Sequence, residues 1–457
     1  SRLRSGPETG FPDAADLLDG GAGQDVIAGD NAVIGRIGLP HPTMAGRGLA
    51  TLRVVDLLDE GAGSPTGTSG GDTIAAGAAA DVVFGQRGDD VVTLGDGDDY
   101  GEGGPGVDDV QGEAGDDDVV GGSHTPASGT GNARIGQPDS GDTLSGGAGQ
   151  DVVLGDNGAL TRGLPTSALS TGRLTALRAI APYDLGDSPT AGTSGSDTIS
   201  GGTAGDVLLG QGGADLVDGD AGDDYAEGGQ ASDLVRGGTE DDDLVGGSST
   251  STTGNVAGGF GQPDGADNVY GGTGHDLVVG DNALLTRVDV GRDWRTVRAT
   301  ADESALVPGR GIRLLDLNGA ASAGAVAGHS ADDALSGQAG VDIILGQDGA
   351  DMISGGGDDD YVEGQGGADV VHGDLALTAA QLVAAPSGAA WTAPAVDAAA
   401  PVEGQDDLTG GWSTAGYRDS GDKIHGDGGD DFVVADNGSV ARVLVGSDEQ
   451  VYAPRYG

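Results

Sequence analysis

Apolar residues in this chain come in short runs at a fixed interval. Val152-Val153-Leu154 sits inside GGAGQDVVLGDN (146–157), and near-copies return as GGAGQDVIAGDN (20–31), GGTGHDLVVGDN (271–282) and HGDGGDDFVVADN (425–437). Three apolar residues are enough for a very short β-strand with its middle side chain inward. The glycines before them suit a tight turn, because glycine adopts the required backbone angles cheaply.

The interval is nine residues. Aspartates recur at Asp72, Asp81, Asp90, Asp99, Asp108 and Asp117, and again at Asp197, Asp206, Asp215, Asp224, Asp233 and Asp242. A third run holds Asp333, Asp342, Asp351, Asp360 and Asp369, resuming at Asp406. Shorter pairs stand at Asp16/Asp25, Asp142/Asp151, Asp267/Asp276 and Asp422/Asp431. An aliphatic residue follows two places after each, except at Asp99 and Asp224, where Gly101 and Ala226 stand. Two nine-residue units per coil, stacked, predict an all-β fold: a right-handed parallel β-roll with a thin aliphatic core, in the manner of repeat solenoids. Stacking also brings the aspartates and turn carbonyls together along the roll edges, where the carboxylates repel one another unless a cation intervenes.

A longer period overlies the short one. The phrase G-x-x-D-x-x-D opens at residues 10, 136, 261 and 416, which divides the chain into large repeats at 1–135, 136–260 and 261–415 and a partial fourth at 416–457. In the first, a short roll (10–31) is followed by an insertion (32–66) and a six-unit roll (67–122); the third carries a further insertion at 375–402. Each short roll ends in GDN or ADN, with an arginine five places after the Asn: Arg36, Arg162, Arg287 and Arg442. Alternating segments come next, TLRVVDLL (51–58), RLTALRAI (173–180) and DWRTVRAT (293–300), and predict β-hairpins projecting from the roll. The arginines are expected to pair with roll carboxylates. Asp30, Asp156, Asp281 and Asp436 either ligate the last cation of a short roll or form Asx turns. Asn31, Asn157, Asn282 and Asn437 are expected to turn the chain outward in a left-handed conformation. A recurring D-Y-x-E places Tyr100, Tyr225 and Tyr361 at one phase, where packing beneath a hairpin or loop is the expected role.

Composition narrows the chemistry. The 457 residues include 94 glycines and 3% aromatics, so a large conventional core is excluded. The net charge of −53 opposes nucleic acid or an anionic membrane surface as partner. A disordered acidic chain is the plain alternative, but its acids would lack this period. There is no cysteine, and no apolar run approaches the roughly 18 residues of a membrane span. The opening SRLRSGPETG has neither Met nor an apolar signal core, and reads as a processed product or a piece of a longer chain. Hard oxygen ligands without cysteine and with only six histidines select calcium over zinc or copper.

The nonapeptide GGAGQDVVL (146–154) resembles the RTX (hemolysin-type calcium-binding) repeat, G-G-x-G-x-D-x-U-x, at every specified position. The resemblance implies a parallel β-roll with calcium held between turn i and turn i+2. Carried onto this chain, Asp72, Asp90 and Asp108 line one edge of the first roll and Asp81, Asp99 and Asp117 the other. All the ladder aspartates named above except Asp406, together with Asp156 and Asp281, are then calcium ligands. GAAADVVFG around Asp81 departs from the pattern by lacking the turn glycines.

Catalysis finds no support. GTSGG (67–71) fits G-x-S-x-G, but without the long strand and helix that an exposed nucleophile requires. The histidines are scattered, and neither H-E-x-x-H nor a phosphate-binding loop occurs. The expectation is a secreted, calcium-stiffened rod that associates with itself in a filament, surface layer or adhesin stalk. The alternatives are a calcium-dependent secretion and folding module of a larger RTX toxin or hydrolase, and an adhesin binding its ligand through residues 375–402.

Overall fold

The computed structural model describes residues 13–35, 54–58, 69–129, 134–162, 178–185, 192–249, 261–287, 310–316, 329–374, 404–411 and 421–435. Two compact units divide the chain, 1–170 with 174–216 and 171–173 with 217–457. Among the described residues there are strands, turns and bends and no helix.

Successive nonapeptides alternate between two parallel sheets, so that two units complete one coil. In the first unit one sheet runs Leu17–Asp19, Thr73–Ala78, Val91–Asp96, Asp109–Ala114, Thr143–Ala148 and Thr198–Thr203. The other runs Val26–Ala28, Val82–Phe84, Tyr100–Glu102, Asp118–Val120, Val152–Leu154 and Val207–Gly212. The second unit repeats the plan, with Leu234–Thr239, Asn268–Thr273, Ala334–Ala339, Met352–Gly357, Val370–His372 and Lys423–His425 in one sheet. Its other sheet runs Tyr225–Gln230, Asp243–Val245, Leu277–Val279, Ile343–Leu345, Tyr361–Glu363, Asp407–Thr409 and Phe432–Val434. A short roll stacks directly on the six-unit roll that follows it: Leu18 pairs with Ile74, and Ile27 with Val83, across the intervening insertion.

The register explains the period. The residue two places after each ladder Asp stacks on its counterpart one coil away, as Ile74, Val92, Val110, Leu144 and Ile199 do, and all five are at most 1% exposed. Such a column of interdigitated aliphatics is the core. Where Asp99 is followed by Gly101, the gap is filled from the side: a Cβ on Gly101 would meet the Leu94 methyls at 2.8 and 3.0 Å.

Turn geometry survives the loss of glycine. In the nonapeptides the positive-φ positions lie four and two residues before the Asp, as at Gly95 (107°) and Gly97 (149°). Gln86 (78°), Glu113 (71°) and Ala79 (81°) hold the same sign at equivalent places, so the turn before Asp81 forms with Ala79 in place of one glycine and Gly77 (113°) at the other position. Left-handed backbone at these residues costs free energy, which the surrounding ladder must overcome.

The two sheets differ outside. Thr73 and Ala75 face solvent on the first, whereas Val82–Phe84, Tyr100–Glu102 and Asp118–Val120 are buried throughout. Residues 121–129 follow the last of these strands and help to bury that face. Tyr100 donates to Glu102 Oε2 at 2.7 Å, His124 Nδ1 lies 2.5 Å from the same oxygen, and Ser123 Oγ reaches Oε1 at 3.2 Å. The Phe84 ring packs against both Tyr100 and His124. In the second unit Glu227 accepts from Tyr225 at 2.5 Å and from the Ser249 amide at 3.0 Å. The expected packing beneath a loop therefore holds for Tyr100 and Tyr225, with a buried glutamate as its anchor, and Tyr361 is half-buried.

Antiparallel hairpins follow the short rolls: Ala32–Gly35 with Val54–Leu57, Gly158–Arg162 with Arg178–Pro182, and Ala283–Arg287 with Arg310–Leu314. The described parts of the expected return strands, Val54–Leu57 within 51–58 and Arg178–Ile180 within 173–180, are strand, and residues 51–53 and 173–177 lie outside the described residues. In the third hairpin Arg310–Leu314 supplies the return strand, placing Ile312 and Leu314 in the core; residues 293–300 lie outside the described residues. Arg162 pairs with the buried Asp118, its Nε 3.0 Å from Oδ2, as the sequence led us to expect of these arginines. Arg36 and Arg442 lie outside the described residues.

Candidate metal centres

The ladder aspartates are drawn into the roll edges. In the first unit Asp72, Asp81, Asp90, Asp99, Asp108, Asp117, Asp142, Asp151, Asp197, Asp206 and Asp215 are all at most 3% exposed. The edge coil differs, with Asp16 exposed and Asp25 half-buried. Along one edge each Asp amide donates to the Oδ1 of the Asp one coil on: Asp72 to Asp90 (2.6 Å), Asp90 to Asp108 (2.7 Å), Asp108 to Asp142 (2.8 Å) and Asp142 to Asp197 (2.8 Å). A separate chain runs Asp81, Asp99, Asp117, Asp151 and Asp206. The two edges are thus sorted as the resemblance implied.

The second unit keeps the arrangement. One edge runs Asp233, Asp267, Asp333, Asp351, Asp369 and Asp422. The other runs Asp224, Asp242, Asp276, Asp342, Asp360, Asp406 and Asp431. Asp422 and Asp431 are half-buried.

One oxygen of each carboxylate is therefore fixed by a backbone amide. The other is buried with no hydrogen-bond donor at Asp72, Asp90, Asp108, Asp142 and Asp197, and at Asp267, Asp333 and Asp351. Each of these oxygens faces a cradle kept open by glycine. A Cβ on Gly85 would lie 2.5 Å from Asp90 Oδ2 and 2.6 Å from the Gly103 carbonyl; on Gly103, 2.5 Å from Asp108 Oδ2 and 2.6 Å from the Gly121 carbonyl. Carboxylate and carbonyl oxygens converging without donors are a hard-cation donor set. Calcium fits it, and when bound would supply the charge that cancels repulsion between coils.

Electrostatics agree. Burial, then repulsion from Asp142, pushes the Asp108 carboxyl up to about 9. Burial likewise takes Asp117 to about 8 and Asp90 to about 7, with neighbouring ladder carboxylates adding to the rise. Carboxylates in this setting resist ionisation unless a cation shares the edge.

Two positions are poorer cradles. Ala76 and Leu94 stand five residues before Asp81 and Asp99, where Gly85 and Gly103 stand before Asp90 and Asp108, so a Cβ occupies the space left open elsewhere. Leu94 instead serves the core beneath Gly101.

The GDN aspartates are held differently. Asp156 takes the Gly195 amide on Oδ1 (2.8 Å) and the Gly212 amide on Oδ2 (2.9 Å). Asp281 takes Ala331 (3.0 Å) and Asp348 (3.2 Å), and Asp30 takes Gly70 (3.3 Å) and Arg87 (3.2 Å). Each latches turns that follow an insertion. Burial and then repulsion raise them all: Asp72 and Asp90 act on Asp30, which is pushed up to about 7; Asp197 and Asp215 act on Asp156; Asp333 and Asp351 act on Asp281.

Sequence reasoning missed a fourth latch. Asp374, in HGDL, takes the Gly404 amide (2.5 Å) and the Gly428 amide (2.8 Å). Its carboxylate lies with those of Asp406 and Asp431 in a group whose ligand atoms are all within 4.8 Å of one another. The only signal was a Gly-Asp at the same phase, just before the insertion. Asp436 lies outside the described residues.

The asparagines correct an expectation. Asn31, Asn157 and Asn282 do not have positive φ. Asn157 and Asn282 act through their side chains instead. Asn157 Oδ1 accepts from Ser123 (3.0 Å) and Gln137 (3.1 Å), while Nδ2 donates to the Gln137 (3.1 Å) and Thr193 (2.8 Å) carbonyls. Asn282 repeats this with Ser248, Gln262 and His329. A side-chain amide supplies both donor and acceptor, so it can join segments that a backbone turn could not.

The cradle makes a prediction. Gly103→Ala is expected to cost about one bound calcium and about 1.5–3 kcal/mol at roughly 10 mM calcium, the linkage value for a site of about 0.1–1 mM affinity. Calcium titration and urea unfolding at saturating calcium check both numbers; unchanged stoichiometry would exclude the cradle as a calcium site.

A family model described as the RTX calcium-binding nonapeptide repeat matches residues 13–32, 66–101, 95–123, 139–159, 191–226, 219–250, 264–282, 327–362, 345–375 and 419–439. Together these segments cover more than half of the chain. No curated protein matches it. The matched repeat is a structural calcium-binding unit and not a catalytic domain.

Proposed function

Because this chain belongs to the RTX calcium-binding nonapeptide repeat family, we propose that it is a secreted structural protein, stiffened by calcium, that associates with copies of itself outside the cell in a filament, surface layer or adhesin stalk. The observation that carries the calcium reading is the row of buried carboxylate oxygens without donors, each beside a glycine-lined cradle. Extracellular calcium sites bind at about 0.1–1 mM. A chain of net charge −53 would stay expanded where calcium is scarce and fold where it is plentiful. Among the described residues no helix is long and apolar enough to cross a membrane.

Self-association is supported by the outermost described strands. Leu17–Asp19 pairs only with Thr73–Ala78, and Phe432–Val434 only with Asp407–Thr409. Leu17 is 82% exposed and Val433 46%. Parallel strand edges with apolar residues beside them are sites of intermolecular pairing unless blocked.

The test is electron microscopy with circular dichroism while calcium is raised from chelator to about 10 mM, above the extracellular affinity range. Ordered fibres or sheets appearing with the β-signal are the expected result. Folding into dispersed monomers would reject self-assembly and favour a calcium-dependent secretion and folding module of a larger toxin or hydrolase.

A further inference from the structure

We propose that residues 375–402, the insertion carried by the third large repeat alone, are the cover of an outer sheet face in the second unit and form a second apolar layer with it. Neither self-association nor any particular calcium site is needed for this.

The sheet that holds Thr73–Ala78 in the first unit and Met352–Gly357 in the second turns two side chains per strand outward, one and three places after the ladder Asp. In the first unit the leading outward column is Thr73, Val91, Asp109, Thr143 and Thr198, and none of the five is buried. In the second unit the same column reads Leu234, Asn268, Ala334, Met352 and Val370. Ala334 and Met352 are 9% and 5% exposed, and Tyr270, Ser336, Ser354 and His372 in the neighbouring column are at most 3% exposed. Tyr270, Ala334 and Met352 form one cluster with Leu234 against it, and all four stand on this face. One strand further on, Lys423 and His425 are exposed again. A parallel sheet is ordinarily covered on both faces, and an apolar face gains by leaving water.

Place, chemistry and the contrast between repeats name the covering segment. The chain leaves the roll at Asp374, two residues after His372, and on its return Gly404 donates its amide to Asp374 at 2.5 Å, so both ends of the insertion stand beside the buried strands. At about 3.3 Å per residue and about 4.8 Å between strands, half of such a segment is ample to cross from Asn268 to Val370. Within LALTAAQLVAAPSGAAWTAPAVDAAAPV the one charged residue is Asp397, in a chain that otherwise averages more than one in five. That composition suits a face of Leu, Ala, Met and Tyr. Hairpin insertions follow every short roll, yet Thr73, Thr143 and Thr198 stay exposed beside the first two of them. Burial of the face goes with the one insertion that the first two repeats lack, and so does the change of its column from Thr to Leu, Ala and Met.

Residues 375–402 are then part of the folded body, and not an arm held out for a ligand. Taking them away would bare an apolar sheet face of the kind that draws copies together.

The experiment uses the two methionines, Met44 and Met352. A Met44→Leu chain grown with a diazirine analogue of methionine carries one photoreactive side chain, at 352. It is irradiated in about 10 mM calcium, and the cross-linked peptides are identified by mass spectrometry. Beyond cross-links to the flanking strands, they are expected to fall in 375–402. Cross-links falling chiefly on another segment or on a second copy overturn the proposal, and so does a side chain quenched by water alone. Thiol labelling gives a second reading, because the chain has no cysteine. Met352→Cys is expected to react with a maleimide at least about tenfold more slowly than Val91→Cys in the full chain, and within about twofold of it once 375–402 is replaced by a short Gly-Ser linker. A thiol that stays protected in that variant, with the β-signal retained, assigns the cover to another segment. The cross-linking result stands whether or not the shortened chain folds.

Discussion

In excess chelator the chain is expected to lose its β-structure, and to regain it as calcium rises through roughly 0.1–1 mM. The expectation follows from the edges. Asp90, Asp108, Asp142 and Asp197 succeed one another with one oxygen tied to the neighbouring coil and the other buried without a donor. Ionised and unneutralised, such a row repels itself through a low-dielectric edge; protonated, it gives up the anion that the environment is shaped to hold. The aliphatic column of Ile74, Val92 and Val110 provides one main core residue per nonapeptide in its sheet, a thin core for so many glycines. At about 10 mM calcium each occupied site of this affinity adds about 1.5–3 kcal/mol. A handful of sites therefore matches the 5–15 kcal/mol that separates typical folded and unfolded states. Far-ultraviolet circular dichroism against free calcium measures it. A chain already folded in chelator and indifferent to calcium would contradict the whole reading of the ladder.

The ladder was legible in the sequence because its period is local: the nine-residue step fixes coil, sheet and edge without reference to distant residues. Long-range matters were less legible. Leu94 reads as a poor turn residue until Gly101 is found in front of it, one volume standing in for another across the coil. The left-handed expectation for Asn157 came from its backbone preference, whereas the fold uses its amide to join residues 123, 137 and 193. Asp374 escaped because Leu375 stands where the other latches have Asn, and its role depends on where the chain returns. The return strand of the third hairpin was expected at 293–300 and is supplied by Arg310–Leu314, for a related reason. Alternation marks a strand but does not say which residue faces which, and the pairing of Arg162 with Arg178 is decided by what both must reach.

What both reach is Asp118, and replacing it by Ala is expected to cost about 3–5 kcal/mol. Asp118 is fully buried; its Oδ1 takes Arg178 Nε at 2.5 Å and its Oδ2 takes Arg162 Nε at 3.0 Å. Arg178 is itself fully buried, and its Nη2 donates to the Gln150 carbonyl at 3.0 Å, which ties the hairpin to two coils at once. Burial works hardest against the Arg162 charge, but Asp118, Asp98 and Asp117 together outweigh it, and the guanidinium pKa is raised. Removing Asp118 would leave two buried guanidinium groups without their common anion, the circumstance in which a buried ion pair is most costly to break. Arg178→Met should cost less, because Arg162 still reaches the carboxylate. Replacing all three together by apolar residues should cost least, since the desolvation penalty disappears with the charges. Urea unfolding at saturating calcium orders the three variants, and a triple variant worse than Asp118→Ala would show that the clamp contributes net stability. The second unit offers the control. Arg287 and Arg310 are opposite one another in the backbone register, and Asp243 is buried at the place of Asp118, so the effect of Asp243→Ala measures whether the clamp recurs there.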